Sequence, residues 1–204
     1  MSASISIETS PLESTGGKVW HAAVSLYDFL KCVPELSRSG LRVLELGSGC
    51  GWLGLTLAND RIDLEVVMSE QSMFGALDWL QHNISLNPGV CVNAIELDWS
   101  SIPREVSARH WDIIIGSELV YSYIGADLLT SVVSTLLSSS RSVFYYAHSL
   151  NRFESVDEFM LKKFKEKGLM VEIVFGEEKL AHEPGSFTEL FRDLQLVIFR
   201  ITKM

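Results

Sequence analysis

An open α/β sheet of seven strands, mostly parallel, with helices on both faces and one antiparallel strand near its end, is the fold that this sequence predicts. Three observations lead there. Apolar strand-like runs alternate with helix-like runs from Arg42 onward, the pattern of a parallel sheet with crossover helices. The first strand runs into a glycine-rich turn, Gly47-Ser48-Gly49-Cys50-Gly51, and then into a helix, which is how the ligand crevice of an open sheet is built. The last two strand-like runs have no helix between them, which favours an antiparallel hairpin.

The elements follow in order. In an N-terminal arm, residues 1–15, Ile5 and Ile7 alternate with polar residues and allow a short edge strand, and Gly16-Gly17 ends the arm. One domain is expected over 16–204. Trp20, Val24, Tyr27 and Leu30 recur at helical spacing, placing a helix over 19–31 that Pro34 and Gly40 close. A strand over 42–46 and a helix over 52–59 follow. Next come a strand over 64–68, a helix over 72–86 ended by Asn87-Pro88-Gly89, and a strand over 90–97. Residues 112–115, apolar after Asp112, read as a buried strand. A helix is predicted over 128–137, a strand over 142–147, a helix over 153–167 stopped by Gly168, and a strand over 169–175. Glu183-Pro184-Gly185 marks a turn before a last strand over 194–201.

Composition narrows the function. The chain has 204 residues, enough for one domain with a substantial core, and 47% of them are apolar. A net charge of −9 suits a basic or lysine-bearing partner and argues against nucleic acid, which asks for a basic footprint. Cys32, Cys50 and Cys91 are odd in number and lack metal-ligand spacing, as expected of reduced thiols in a cytosolic or nuclear protein. The five histidines are scattered, so no metal is expected; His148, at a strand end, lies near the proposed crevice. The first ten residues have neither a basic start nor an apolar block, and no apolar run is long enough to span a membrane. No signal peptide and no membrane partner are therefore expected.

The glycine turn distinguishes two ligand classes. A dinucleotide fingerprint, Gly-x-Gly-x-x-Gly, would need a third glycine at position 52, which is Trp. The observed order is Glu45-Leu46-Gly47-x-Gly49-x-Gly51. Ser69-Glu70 follows the second strand, where a carboxylate can accept hydrogen bonds from ribose hydroxyls or simply favour a helix N-terminus. Trp99 follows the third strand, placed either to cover a flat ring or to pack in the core. Ser117-Glu118-Leu119-Val120-Tyr121 follows the fourth, and a turn starting at Glu118 would bring Glu118 and Tyr121 to one side.

Together these residues resemble the seven-β-strand protein lysine methyltransferases that modify chaperones, AAA ATPases and translation factors. Gly16-Gly17-Lys18-Val19-Trp20 is similar to the family's opening Gly-x-x-Val-Trp segment. Residues 43–54 match its glycine motif, Ser69-Glu70 its ribose-binding acid, and Asp98-Trp99 its Trp after the third strand. Glu118-Leu119-Val120-Tyr121 matches its Asp/Glu-x-x-Tyr signature. The resemblance runs over about residues 15–150 and implies a Rossmann-like seven-stranded methyltransferase fold. It also implies S-adenosylmethionine as cofactor, held by Trp20, Glu45, Gly47, Ser48, Gly49, Gly51, Glu70, Trp99 and Ser117. Glu118 and Tyr121 would face the acceptor, a lysine of a protein substrate. Two departures are Glu70 and Glu118, which stand where Asp is common. A monomer is expected.

Two other readings stay open at this point. One is methylation of another acceptor: protein histidine, a small molecule or a nucleobase, although a nucleobase site favours an Asn/Asp-Pro-Pro-Tyr motif and this chain has no prolines there. The other is a non-catalytic adaptor that binds the cofactor structurally.

Overall fold

The computed structural model describes residues 4–10, 15–176 and 195–204. Seven strands form one sheet: β1 (Arg42–Leu46), β2 (Glu65–Glu70), β3 (Val92–Glu96), β4 (Ile113–Ser117), β5 (Val143–Leu150), β6 (Leu169–Phe175) and β7 (Gln195–Lys203). Their order is β3-β2-β1-β4-β5-β7-β6. β1 to β5 pair in parallel, whereas β7 lies antiparallel between β5 and β6. The expected fold, including the final antiparallel hairpin, is the one observed.

Strand alternation sorts the core into two layers. Val43, Val66, Met68, Ile113, Ile115 and Tyr145 point to one face, packed with α1 (His21–Leu30), α2 (Trp52–Asp60) and α3 (Ala76–Ser85). Leu44, Leu46, Val67, Ile114, Phe144 and Tyr146 point to the other, with α4 (Arg104–Ser107), α5 (Tyr123–Leu136) and α6 (Glu154–Glu166). Each fully buried apolar side chain of this kind contributes roughly 1.5–3 kcal/mol.

The structure departs from the predicted boundaries in physically legible ways. α5 starts five residues before position 128, because the Ser122 hydroxyl caps it by accepting from the Gly125 amide at 3.1 Å. The helix predicted over 72–86 is broken: Met73–Gly75 forms a 3-10 turn with Phe74 at φ 56°, and α3 begins after it. The short helix α4 had no sequence signal. Residues 4–10 belong to no strand; their backbone bonds instead to side chains of α3 and the turn after it. The turn at Glu183-Pro184-Gly185, together with Leu194, lies outside the described residues.

Candidate functional site

β1 is flanked by β2 on one side and by β4 on the other, so consecutive crossovers leave it in opposite directions and a crevice opens at its C-terminal end. A pocket sits there. Gly47, Gly49 and Gly51 all have positive φ, at 59°, 55° and 86°, a region that side chains disfavour. Space imposes a second requirement. A Cβ on Gly47 would lie 2.7 Å from Leu119 Cδ2, and one on Gly49 would lie 2.9 Å from the Gly16 carbonyl oxygen. Gly49 is therefore glycine partly because the N-terminal segment crosses it closely, an approach the sequence did not reveal.

Two acids line the β1–β2 side of this pocket. Glu70 ends β2, and its carboxylate accepts from the Gly49 amide (2.9 Å, Oε2) and the Gln71 amide (2.9 Å, Oε1). Burial raises its pKa, and the two amides only partly offset this. Glu45 is 3% exposed. Burial pushes its pKa up to about 8; the Ser48 hydroxyl and Gly54 amide pull it down, and the Glu70 charge adds to the rise. Neither of those donors completes a hydrogen bond to Oε2, which stays buried and unsatisfied, as does Ser48 Oγ.

The opposite wall is built on the ends of β4 and β5. Glu118 leaves β4 in the left-handed region, φ 50°, with its amide donating to the Ala147 carbonyl at 3.0 Å. That turn, rather than a helical one, brings Glu118 and Tyr121 to the same pocket. The Glu118 carboxylate is enclosed. Oε1 accepts from the Ser149 hydroxyl at 2.5 Å, and Oε2 lies 3.2 Å from the Arg152 guanidinium, which itself lies 5.6 Å from the Trp20 ring centre. Behind the loop runs a buried chain. Tyr146 Oη accepts from the Leu119 amide at 3.2 Å and meets His148 Nδ1 at 2.8 Å; His148 Nε2 meets Asp157 at 2.8 Å. Burial, with the nearby Glu118 charge, drives the Tyr146 phenol well above its usual range, so it remains a neutral donor.

The pocket gathers Trp20, Glu45, Gly47, Ser48, Gly49, Glu70, Trp99, Ser117, Glu118 and Tyr121. Gly51 does not line it. It precedes α2, and a Cβ there would press on Leu80 and Met68 in the core. Sequence reasoning missed Arg152, Ser149 and the Tyr146–His148–Asp157 chain, whose positions carry no motif. It placed His148 near the crevice; the structure puts that ring behind the Glu118 loop.

The residues suit S-adenosylmethionine. The cofactor carries a sulfonium, an ammonium and a carboxylate, and the described lining presents the carboxyls of Glu45, Glu70, Asp98 and Glu118 beside the ammonium of Lys18. The two unsatisfied buried atoms, Glu45 Oε2 and Ser48 Oγ, are oxygens able to accept from a donor-bearing cation. Among the described residues no cluster of His, Cys, Asp and Glu could hold a metal ion.

Comparison with known proteins agrees with this geometry. The family described as "Lysine methyltransferase" matches residues 1–166. Calmodulin-lysine N-methyltransferase of Arabidopsis thaliana is 31% identical over 154 residues, 74% of this chain and 50% of that protein. Protein N-lysine methyltransferase METTL21A of Mus musculus is 27% identical over 180 residues, 85% of this chain and 75% of that protein. The chain thus spans half the length of the plant relative, and a Schizosaccharomyces pombe relative of the UPF0665 family is matched over 33% of its length. Among solved structures, the Thermus thermophilus 16S rRNA methyltransferase RsmC with AdoMet and guanosine superposes with a TM-score of 0.63 at 21% identity, covering 95% of this chain and 45% of that one. The [4+2]-cyclase SpnF also gives 0.63, at 15% identity, covering 98% and 87%. At those identities the likeness concerns the fold, which serves different chemistries.

Proposed function

Since the chain belongs to the lysine methyltransferase family, we propose that it transfers a methyl group from S-adenosylmethionine to a lysine ε-amine of another protein. The observation that carries this reading is the convergence of the glycine turn with Glu118 and Tyr121 on one pocket at the β1–β4 switch point. The relatives named as lysine methyltransferases support it.

When bound, S-adenosylmethionine supplies an electrophilic methyl group, so the protein's own task is to deliver a neutral amine in line with it. A free lysine has a pKa of about 10.4, which leaves roughly one amine in 2,500 neutral at pH 7. A bare carboxylate would worsen that deficit by favouring the ammonium. Glu118 is not bare: Arg152 compensates its charge and Ser149 occupies one oxygen. It can orient the incoming nitrogen without holding it fully protonated. Tyr121, on the same wall, offers a ring face or hydroxyl to that nitrogen. Glu70 stands where it can accept from ribose hydroxyls, Trp99 borders the adenine region, and Glu45 answers the cofactor's positive end.

The substrate is a folded protein of the chaperone, AAA ATPase or translation factor kind, met in the cytosol or also the nucleus, by a monomeric enzyme with no nucleic-acid or membrane partner. No described helix is long and apolar enough to cross a membrane. Incubating a cell extract with this protein and tritiated S-adenosylmethionine, followed by mass spectrometry of the labelled band, tests the proposal. Methyl groups on lysine are expected. Label on histidine, on nucleic acid or on a small molecule overturns the acceptor, and absence of any cofactor binding overturns the whole reading.

A further inference from the structure

Two buried asparagines of the α3 region have no part in the pocket, yet each makes a complete amide pair with the N-terminal arm. Asn87 Oδ1 accepts from the Ser6 amide at 2.7 Å, and its Nδ2 donates to the Ser6 carbonyl at 2.7 Å. Asn83 Oδ1 accepts from the Glu8 amide at 2.8 Å, and its Nδ2 donates to the Glu8 carbonyl at 3.1 Å. Asn83 is 0% exposed and Asn87 7%. Four residues apart, they lie on one side of the helix and its end, and Ser6 and Glu8 lie two apart on one edge of an extended segment. Side-chain amides thereby replace the neighbouring strand that the arm lacks. Glu8 adds a contact to His82 at 2.9 Å, and Ile5 and Ile7 pack against the core.

The arm is then tied to the pocket wall. The Ser10 amide donates to the Gly17 carbonyl at 2.9 Å, tying the end of the pinned segment to the turn Thr15–Gly17. That turn touches α3, and the Gly16 backbone rests on Gly49. Lys18, Val19 and Trp20 follow directly as lining. The described residues 4–10 and 15–20 are therefore linked, through the Ser10–Gly17 bond, from the asparagines to the side of the pocket that Trp20 lines.

We infer that Asn83 and Asn87 are positioning residues for the cofactor: they latch the N-terminal arm, which through the Ser10–Gly17 bond steadies the pocket wall lined by Gly16, Lys18, Val19 and Trp20, and release of the cofactor proceeds through opening of that latch. The inference rests on the pocket being the S-adenosylmethionine site. The latch holds four side-chain hydrogen bonds to a solvent-facing segment, the kind of local contact that opens well below the free energy of global unfolding.

The test uses the full chain. Binding of S-adenosylhomocysteine is followed by calorimetry and its release by stopped-flow fluorescence, with Trp20, Trp52 and Trp99 in the pocket as reporters. Hydrogen exchange reads the Ser6 and Glu8 amides. Asn83→Ala and Asn87→Ala are expected to unprotect those amides and to speed release roughly tenfold each, the weight of one or two net hydrogen bonds. At saturating cofactor, turnover is expected to change little while the cofactor KM rises. Ser6→Pro attacks the latch from the exposed arm, removing the donor to Asn87 without touching α3, and is expected to act likewise even if Asn83→Ala does not fold. Unprotected arm amides with release at the wild-type rate would overturn the latch, as would a Glu8 amide that stays protected in Ser6→Pro or Ser6 and Glu8 amides that stay protected in Asn87→Ala. A wild-type protein that binds no S-adenosylhomocysteine would instead overturn the cofactor reading on which the latch rests.

Discussion

Glu45 titrates near neutrality because burial disfavours its charge, and the sign of the consequence is fixed by linkage. Its folded pKa is about 8 against 4.5 for the free side chain. Between those values the native state holds one more proton than the unfolded chain, so this residue's contribution to stability falls as pH rises from about 4.5 to about 8. In the ligand-free protein, Glu45→Gln is expected to raise the melting temperature at pH 8 more than at pH 5. A cation beside Oε2 reverses the preference, so cofactor binding near pH 7 is expected to release about one proton in the wild type and less in Glu45→Gln. Calorimetry in two buffers of different ionisation enthalpy measures this; equal proton release in both proteins would remove Glu45 from the cofactor site. Trp99 lines the same pocket, with Cζ2 3.9 Å from where a Gly47 Cβ would stand. Trp99→Ala is expected to weaken cofactor binding by roughly 1–3 kcal/mol, and an unchanged dissociation constant would make it a packing residue.

At the level of elements, the chain from Asp157 of α6 through His148 and Tyr146 of β5 ends on the Leu119 amide, inside the loop that carries Glu118 and Tyr121. Tyr146→Phe keeps the ring and its stacking on Phe144 but removes the hydroxyl, leaving a buried amide and a ring nitrogen unpaired. About 1–3 kcal/mol of stability is expected to be lost, with turnover falling and cofactor affinity unchanged; chemical denaturation and calorimetry separate the two. This loop also shows what the sequence could not say. β1 and β6 were legible because apolar runs met hard stops, Gly47 after one and Gly168 before the other. α5 was misread because Gly125 sits in its first turn and the Ser122 cap precedes a run that looks like loop. The positive φ of Glu118 and its Arg152 partner were illegible, since they depend on β5 lying beside β4, a tertiary fact. Asn83 carried no signal and Asn87 read only as part of the stop Asn87-Pro88-Gly89, because helical spacing cannot tell a solvated amide from a buried one.

Across the whole molecule, a net charge of −9 should favour the approach of a cationic target. On the proposed function, capture of a lysine-bearing protein is then expected to be sensitive to salt, because screening shortens the reach of the field to about 8 Å near physiological ionic strength. The KM for the protein substrate is therefore expected to rise with added salt while the S-adenosylhomocysteine dissociation constant moves little, since the cofactor is held by enclosed contacts. The acceptor variants must be chosen with the same charges in mind. Glu118→Ala takes away the carboxylate that Arg152 faces in a nearly buried pair, a loss of about 3–5 kcal/mol in comparable pairs, so its inactivity would be ambiguous. Glu118→Gln keeps an oxygen for the Ser149 hydroxyl and the volume of the side chain, but it too leaves the Arg152 charge uncompensated, so its folding is checked by chemical denaturation beside turnover. With Tyr121→Phe it is expected to depress turnover at least tenfold at intact cofactor affinity, and to flatten the salt dependence of the substrate KM because one attracting charge is gone. Steady-state methylation across a salt series, beside calorimetry on the same variants, decides it. Full turnover in Glu118→Gln with an unchanged salt slope would show that the acceptor lysine is met elsewhere on the pocket rim.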